Sequence, residues 1–419
     1  MRRIRKALVL MTAAALLASC GSAADDSRLT ISVATFGDFG YESLFREYES
    51  RNPGVKLVAR IAEFEDHHTK LATHLAGGRG AADVVAIEEG HMPRLRQSFD
   101  KFVNLADLGA LTLREQYAPW KWDQGLAGSG KVVLGLGTDM GSLALCYRKD
   151  YFAAAGLPTD RSQVGALWPT WEAYAQVAER FSAAKPDIRF VDTAASIYTT
   201  MLNQAEEGYF SRTDDSFIGD REPRVRAAFD LAGKFAEAGW TAKLTPYSQE
   251  WTVAIRQGTF ATTPCPAWML ALLRNAGGEE NKGRWDVTAV PGGGGNQGGS
   301  FLAVPAQGKH TERAYDVARF LTAPEQQKRI FLENGNLPSQ PGVYRAPEVL
   351  AKTDDYFNGA PVGSIYATTA DALRPNYRGV RDFLVRPKFT TALNRVETGR
   401  QSTADAWQRA VSESRDALK

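Results

Sequence analysis

The chain has 419 residues, 44% of them hydrophobic, with 50 Lys+Arg against 48 Asp+Glu and 9 Trp, 14 Tyr and 20 Phe. That length exceeds what one hydrophobic core usually serves, so two domains are expected. The near-balance of charge argues against nucleic-acid binding, which needs a clustered basic surface.

In chain order, Arg2, Arg3, Arg5 and Lys6 form a cationic start, 7–17 is almost wholly apolar, and Leu17-Ala18-Ser19-Cys20 supplies a small-residue cleavage site. The apolar stretch is too short to span a ~30 Å hydrocarbon core, and no later run approaches the ~18 apolar residues of a membrane helix. Residues 1–19 therefore predict a signal peptide. Leu-Ala-Ser-Cys followed by Gly21-Ser22 resembles the bacterial lipobox, which implies acylation of the Cys20 thiol. Two or three acyl chains, at roughly 0.8 kcal/mol per buried methylene, hold a protein where one chain would release it. The expected product is exported and lipid-anchored to the cell membrane, facing outside, with 20–28 as lipidated cysteine and tether. Loss of the signal's four cations leaves 46 Lys+Arg against 48 Asp+Glu, a net of −2.

The mature chain opens as an alternating α/β protein. Residues 29–35 are apolar and β-branched, hence a strand, and a helix follows with Leu44, Phe45 and Tyr48 on one face. Asn52-Pro53-Gly54 stops it, 55–61 is a second strand, a polar histidine-containing helix runs to Gly77-Gly78, and 83–87 is a third strand. This order implies right-handed crossovers and a sheet covered on both faces. A second region begins near Gly141, with strand 143–147, a short helix closed by Gly156, and a helix from Trp171 capped by Thr170. Residues 225–238 repeat Val225, Phe229, Ala232 and Phe235 at helical spacing, and strand 258–265 ends at Pro266-Ala267-Trp268. Residues 291–299, mostly glycine, are the clearest linker; strand 300–305, helices from Thr311 and Pro324, and a helical tail over 381–418 complete the chain. Cys146 and Cys265 both fall in strand-like segments. If those strands are neighbours, a disulfide would close a loop of about 120 residues, worth about 4–5 kcal/mol in the chain-entropy model; two buried thiols are the alternative.

Several segments carry a family resemblance. Asn52-Pro53-Gly54-Val55-Lys56 follows the first helix, and 137–150 ends in Tyr147-Arg148-Lys149-Asp150. Ala155-Gly156-Leu157-Pro158 leads to Pro169-Thr170-Trp171-Glu172, Pro264-Cys265-Pro266-Ala267-Trp268 follows a strand, and 314–326 reads as a further motif. Together, in this order, they resemble the extracellular solute-binding proteins (family 1) of carbohydrate ABC importers, the class that includes maltose-binding protein. The resemblance covers essentially the whole mature chain. It implies a two-lobed α/β periplasmic-binding-protein fold of type II with a multi-strand hinge. Lobe one would be 29–138 plus 297–345 and lobe two 139–296 plus 346–419. It also implies a monomer that holds a di- or oligosaccharide between the lobes and passes it to an ABC permease, without cofactor or catalysis.

A sugar site needs aromatic faces for the C–H face of a pyranose and polar groups for its hydroxyls. The family places a stacking tryptophan at Trp268. Trp120 and Trp122 precede the first interlobe crossing, and Tyr247 and Trp251 occupy another loop; Trp168 and Trp171 are assigned to core or cap packing. Asp139 stands at the crossing. Glu88 and Glu89 follow the third strand, where open α/β sheets bind ligands, and being adjacent only one is expected to point inward. Gly299 and Ser300 offer an N–H and a hydroxyl, and Arg378 a guanidinium that a surface salt bridge would equally explain. His67, His68 and His74 are expected on a solvated helix face, because no ligand set at metal-binding spacing accompanies them. The glycine run lacks the Gly-Lys-Ser/Thr ending of a phosphate loop, and no nucleophile elbow is present. The alternatives are a lipid-anchored glycoside hydrolase, whose two acids need not be close in sequence, or the same fold binding a glycerophosphodiester, polyamine or metal complex.

Overall fold

A computed structural model describes residues 27–419; the expected signal peptide and the expected lipidation site Cys20 lie outside them. Strands β1 (Leu29–Phe36), β2 (Val55–Ala62), β3 (Val84–Glu88), β4 (Leu126–Ala127), β5 (Val132–Val133), β6 (Gly135–Ser142), β7 (Leu145–Arg148), β8 (Arg189–Val191), β9 (Phe260–Pro264), β10 (Trp285–Thr288) and β11 (Asn296–Ala303) follow in order. They form a sheet ordered β2-β1-β3-β11-β6, a second ordered β10-β7-β9-β8, and a small β4-β5 ribbon.

The first sheet is built by the expected alternation. β1 pairs in parallel with β2 and β3, and the helices Glu42–Arg51 and Phe64–Gly77 make the crossovers. Both faces of β3 are buried. Val84 and Ala86 join Leu44 and Tyr48 in one core, while Val85 and Ile87 join Leu71 and Leu75 in another. This is why the strand reads as a continuous apolar run rather than an alternating one. β11 then inserts antiparallel between β3 and β6.

The chain changes sheets where β6 ends at Ser142 and β7 begins at Leu145. β6, which carries Asp139, thus runs to Ser142, four residues past position 138. In the second lobe Thr170 caps the helix Trp171–Ala184, its hydroxyl accepting from the Ala173 N–H, and Tyr174, Val177 and Phe181 pack under β7 and β8. The helices Ala194–Asn203, Pro223–Glu237, Asp382–Glu397 and Thr403–Ala417 close around Phe229, Phe389 and Trp407.

The glycine run is only half a linker. Residues 296–299 belong to β11, pairing with β6 across two register shifts. The reason is close approach: a Cβ on Gly141 would lie 1.7 Å from the Gln297 carbonyl oxygen, and Gly298 and Gly299 have φ of 83° and 98°. A strand so rich in glycine is legible as a strand only once its partner, far away in sequence, is known.

β7 and β9 are antiparallel neighbours, with Cys146 opposite Thr263. Cys146 and Cys265 are bonded, their Cα atoms 5.6 Å apart and 119 residues apart in sequence. Both are fully buried among Met140, Ile255, Leu273 and Tyr366. Cys146→Ala with Cys265→Ala should lower the unfolding free energy by about 2–5 kcal/mol in urea titrations. A loss under about 1 kcal/mol would show that the bond contributes little to the fold.

Candidate functional site

Past the end of β3 the chain reads Glu89-Gly90, and β11 lies alongside, so the Glu89 N–H donates to the Gly299 carbonyl at 3.0 Å. This fixes the Glu89 side chain between the two lobes, where it is 5% exposed. Its Oε2 accepts from Asn296 Nδ2 at 2.6 Å and its Oε1 from Arg378 Nη2 at 3.3 Å. Arg378 comes from the other lobe, and the same nitrogen reaches Asn203 Oδ1 at 3.3 Å. Its segment is docked there by Asn376, whose Nδ2 donates to the Leu202 and Ala205 carbonyls, and by the Tyr377 N–H donating to Glu206. Gly90 admits the guanidinium, since a Cβ there would lie 2.5 Å from Arg378 Nη1. Burial raises the Glu89 pKa, and the positive charges of Arg378 and Lys121 oppose that rise.

Beside this bridge Asp139 is buried and accepts from its neighbour Thr138 at 2.8 Å. Tyr41, Lys121, Asn203 and Gln297 each keep one buried polar atom without a hydrogen-bond partner among the described residues. Such groups are costly unless something completes them; Tyr41 and Lys121 lie near Asp139, Asn203 beside Arg378 and Gln297 beside Tyr247.

The lobe-two wall is aromatic. Trp268 precedes the helix Met269–Gly277 and its Nε1–H donates to the Gln297 carbonyl at 2.8 Å. Tyr247 lies 5.7 Å from Trp268 and 5.6 Å from Trp251, ring centre to ring centre, and is 51% exposed. Trp251 is buried beneath, its Nε1–H donating to Asp192 at 3.0 Å. Thr193, Ser196 and Thr263 also donate to Asp192. Desolvation raises the Asp192 carboxyl to about 6, against those hydrogen bonds.

On lobe one, Phe36 stacks edge-on with Phe39 and Phe64 at 5.0 and 5.2 Å, and the His68 and His91 rings stack at 3.8 Å. His67 and His68 are therefore buried rather than solvated, because the helix turns them toward β3 and this aromatic group. His68 accepts from the Glu88 N–H through Nε2 at 3.2 Å, so its Nδ1 carries the proton donated to the Phe64 carbonyl at 2.9 Å. No group of three or more metal-ligating side chains occurs among the described residues.

The structure brings Asp139, Trp268, Tyr247, Gly299 and Arg378 to the interlobe space. It sends others elsewhere. Trp122 packs in the lobe-one core against Tyr117 at 5.7 Å, and Trp251 supports Tyr247 from below. Trp120 is half-buried at the edge of the lobe-two core. Glu88 accepts from the Gly90 N–H at 2.7 Å, leaving Glu89 as the inward carboxylate. Ser300 is buried opposite Glu88 in the sheet, and the Gly299 carbonyl, not its N–H, is what Glu89 uses. Lys121, Asn203, Asn296 and Tyr41 are the residues that sequence reasoning missed. A polar residue inside an apolar or aromatic run was the only available signal, and Lys121 between two tryptophans carries it.

Residues 43–357 match the model of a family described as bacterial extracellular solute-binding protein. The chain is 24% identical over 380 residues to a lactose-binding protein of Rhizobium radiobacter, covering 87% of this chain and 86% of that one. Among solved structures, an extracellular solute-binding protein of family 1 superposes with a TM-score of 0.84 at 40% identity, covering 93% of this chain and 100% of its own. The ABC transporter associated binding protein of B. animalis subsp. lactis, in complex with β-1,6-galactobiose, gives 0.78 at 22% identity, covering 93% and 98%.

The histidine pair generates a pH dependence. Burial, with the charge of His91 adding to it, lowers the His68 pKa to about 3, well below the unfolded value near 6.5. The native state therefore binds fewer protons, and stability is complete above about pH 6.5 and lost as pH falls toward 3, at up to about 1.4 kcal/mol per unit. His68→Gln should flatten the slope of unfolding free energy between about pH 6 and 4 by up to that amount. An unchanged slope would show that His68 takes up its proton without cost.

Proposed function

Because the chain belongs to the bacterial extracellular solute-binding proteins, we propose that it captures a sugar between its lobes and delivers it to an ABC permease. The observation that carries this is the pairing of an aromatic wall, Trp268 and Tyr247, with a floor of buried and incompletely bonded polar groups. A pyranose has both surfaces that such a space needs. Its C–H face stacks on a ring, at about 0.5–1.5 kcal/mol beyond the area buried. Its hydroxyls both donate and accept, so one molecule can serve carboxylates, amides and an ammonium together. The lactose-binding relative and the galactobiose complex support a di- or oligosaccharide as the ligand.

Binding closes the lobes, because only the closed form lets both of them touch the ligand, and the permease then engages that form. The sugar leaves unchanged. As a member of this family the protein is exported, and Leu17-Ala18-Ser19-Cys20 supports a lipid tether that keeps it beside the permease.

Thermal unfolding against lactose, β-1,6-galactobiose and maltose tests the reading. A bound sugar at a hundredfold excess over Kd adds about 2.7 kcal/mol of stability. Cleaved sugar on chromatography would overturn the binding-protein reading in favour of a hydrolase. Trp268→Ala should weaken binding roughly ten- to a hundredfold while unfolding stays cooperative, at about 1.4 kcal/mol per decade. Unchanged affinity would remove Trp268 from the site.

A further inference from the structure

Lys121 lies in the helix Pro119–Gln124, between Trp120 and Trp122, two of the aromatic contacts that the sequence offered. Its side chain runs across β6 and β11 over two glycines. A Cβ on Gly137 would sit 3.1 Å from its Cγ, and one on Gly299 would sit 3.0 Å from its Nζ. Any other residue at either position would crowd this channel. The ammonium ends fully buried, 4.2 Å from the centre of the Phe301 ring and 5.8 Å from that of Trp120.

Those ring faces give it some attraction, yet its three donors make no hydrogen bond among the described residues. The negative charges of Glu89, Asp139 and Glu88 attract it, and burial lowers the Lys121 pKa against their pull. Each of these carboxylates is otherwise engaged: Glu89 with Asn296 and Arg378, Asp139 with Thr138, and Glu88 with the Gly90 N–H. A buried ammonium with no bonds is costly, so the position calls for an oxygen from outside the chain. An anion there would face three carboxylates. A neutral hydroxyl meets no such opposition, because it accepts from Nζ while its own proton points to Asp139 or Glu89.

We propose that Lys121 is a ligand-contacting residue whose ammonium donates to one neutral oxygen of the bound sugar. This rests on the sugar-binding reading above and adds to it the identity of one polar contact.

Calorimetric Kd values for lactose, β-1,6-galactobiose and maltose, with wild type and Lys121→Met, test it. Lys121→Met should lose at least tenfold in affinity for whichever of these sugars the wild type binds. In the monodeoxy series of that sugar, one derivative should bind the wild type as weakly as the variant binds the parent, and should lose nothing further in the variant. A Kd within twofold of wild type overturns the contact. So does a loss that is equal across the whole deoxy series, which would make Lys121 a positioning residue only. If Lys121→Met does not unfold cooperatively, wild type labelled at lysine Cε replaces it, with the Lys121 signal identified by its absence in Lys121→Arg. Sugar must move that signal, and an unmoved signal overturns the proposal. Should wild type bind no saccharide at all, the sugar-binding reading fails first and this inference falls with it.

Discussion

Glu89 and Arg378 come from different lobes and are buried against each other, and that burial constrains everything around them. Two charges withdrawn from water repay their desolvation only when neighbouring groups complete their bonding. Asn296 from β11 serves the carboxylate and Asn203 serves the guanidinium. Four separate stretches of chain must therefore meet at one point. Gly90 makes room for the guanidinium, and Gly298 and Gly299 let β11 turn closely against β6. The bridge adds little as a source of stability. Its role is geometric, since breaking either half would leave an uncompensated charge in the interior.

Around the bridge the bonding is incomplete. Lys121 keeps its ammonium, Asn203 its amide nitrogen, Gln297 its amide oxygen and Tyr41 its phenol without partners among the described residues. Half-satisfied polar groups are worse than apolar packing for stability, so those beside the bridge leave positions that a polar ligand would complete. The aromatic wall is built in the opposite manner. Trp251 is fixed by Asp192, Tyr247 rests on Trp251, and Trp268 is pinned to the Gln297 carbonyl. The rings are thus held by the protein's own contacts, which lowers the entropy that binding must spend on ordering them.

The first three strands of lobe one with their two crossover helices, the Thr170 cap and the Cys146–Cys265 pairing were legible, because each rests on local periodicity or on one pair of neighbouring strands. The site was legible only in part. Glu88 and Glu89 differ by a single residue, and a one-residue step in a strand exchanges the two faces of the sheet. Only the register of β11, with Ser300 opposite Glu88, settles which carboxylate turns inward. Lys121 and Trp122 pose the same difficulty in a helix too short for a hydrophobic stripe to be recognised. His67 and His68 read as polar residues on a helix, yet their burial follows from Phe36 and Ala86 on neighbouring strands, which sequence spacing does not bring to them.

The division of the polar groups between lobes explains how a ligand could drive closure. Glu89 and Asp139 belong to the first sheet's side, while Asn203 and Arg378 belong to the second. A hydroxyl that donates to the first set and accepts from the second gains both bonds only when the lobes are together. That difference in affinity between open and closed forms is the whole of what a ligand can contribute to the equilibrium. Because Arg378 reaches Glu89 directly, part of the interlobe attraction belongs to the protein itself, and a ligand adds to it by completing the bonds that the bridge leaves open.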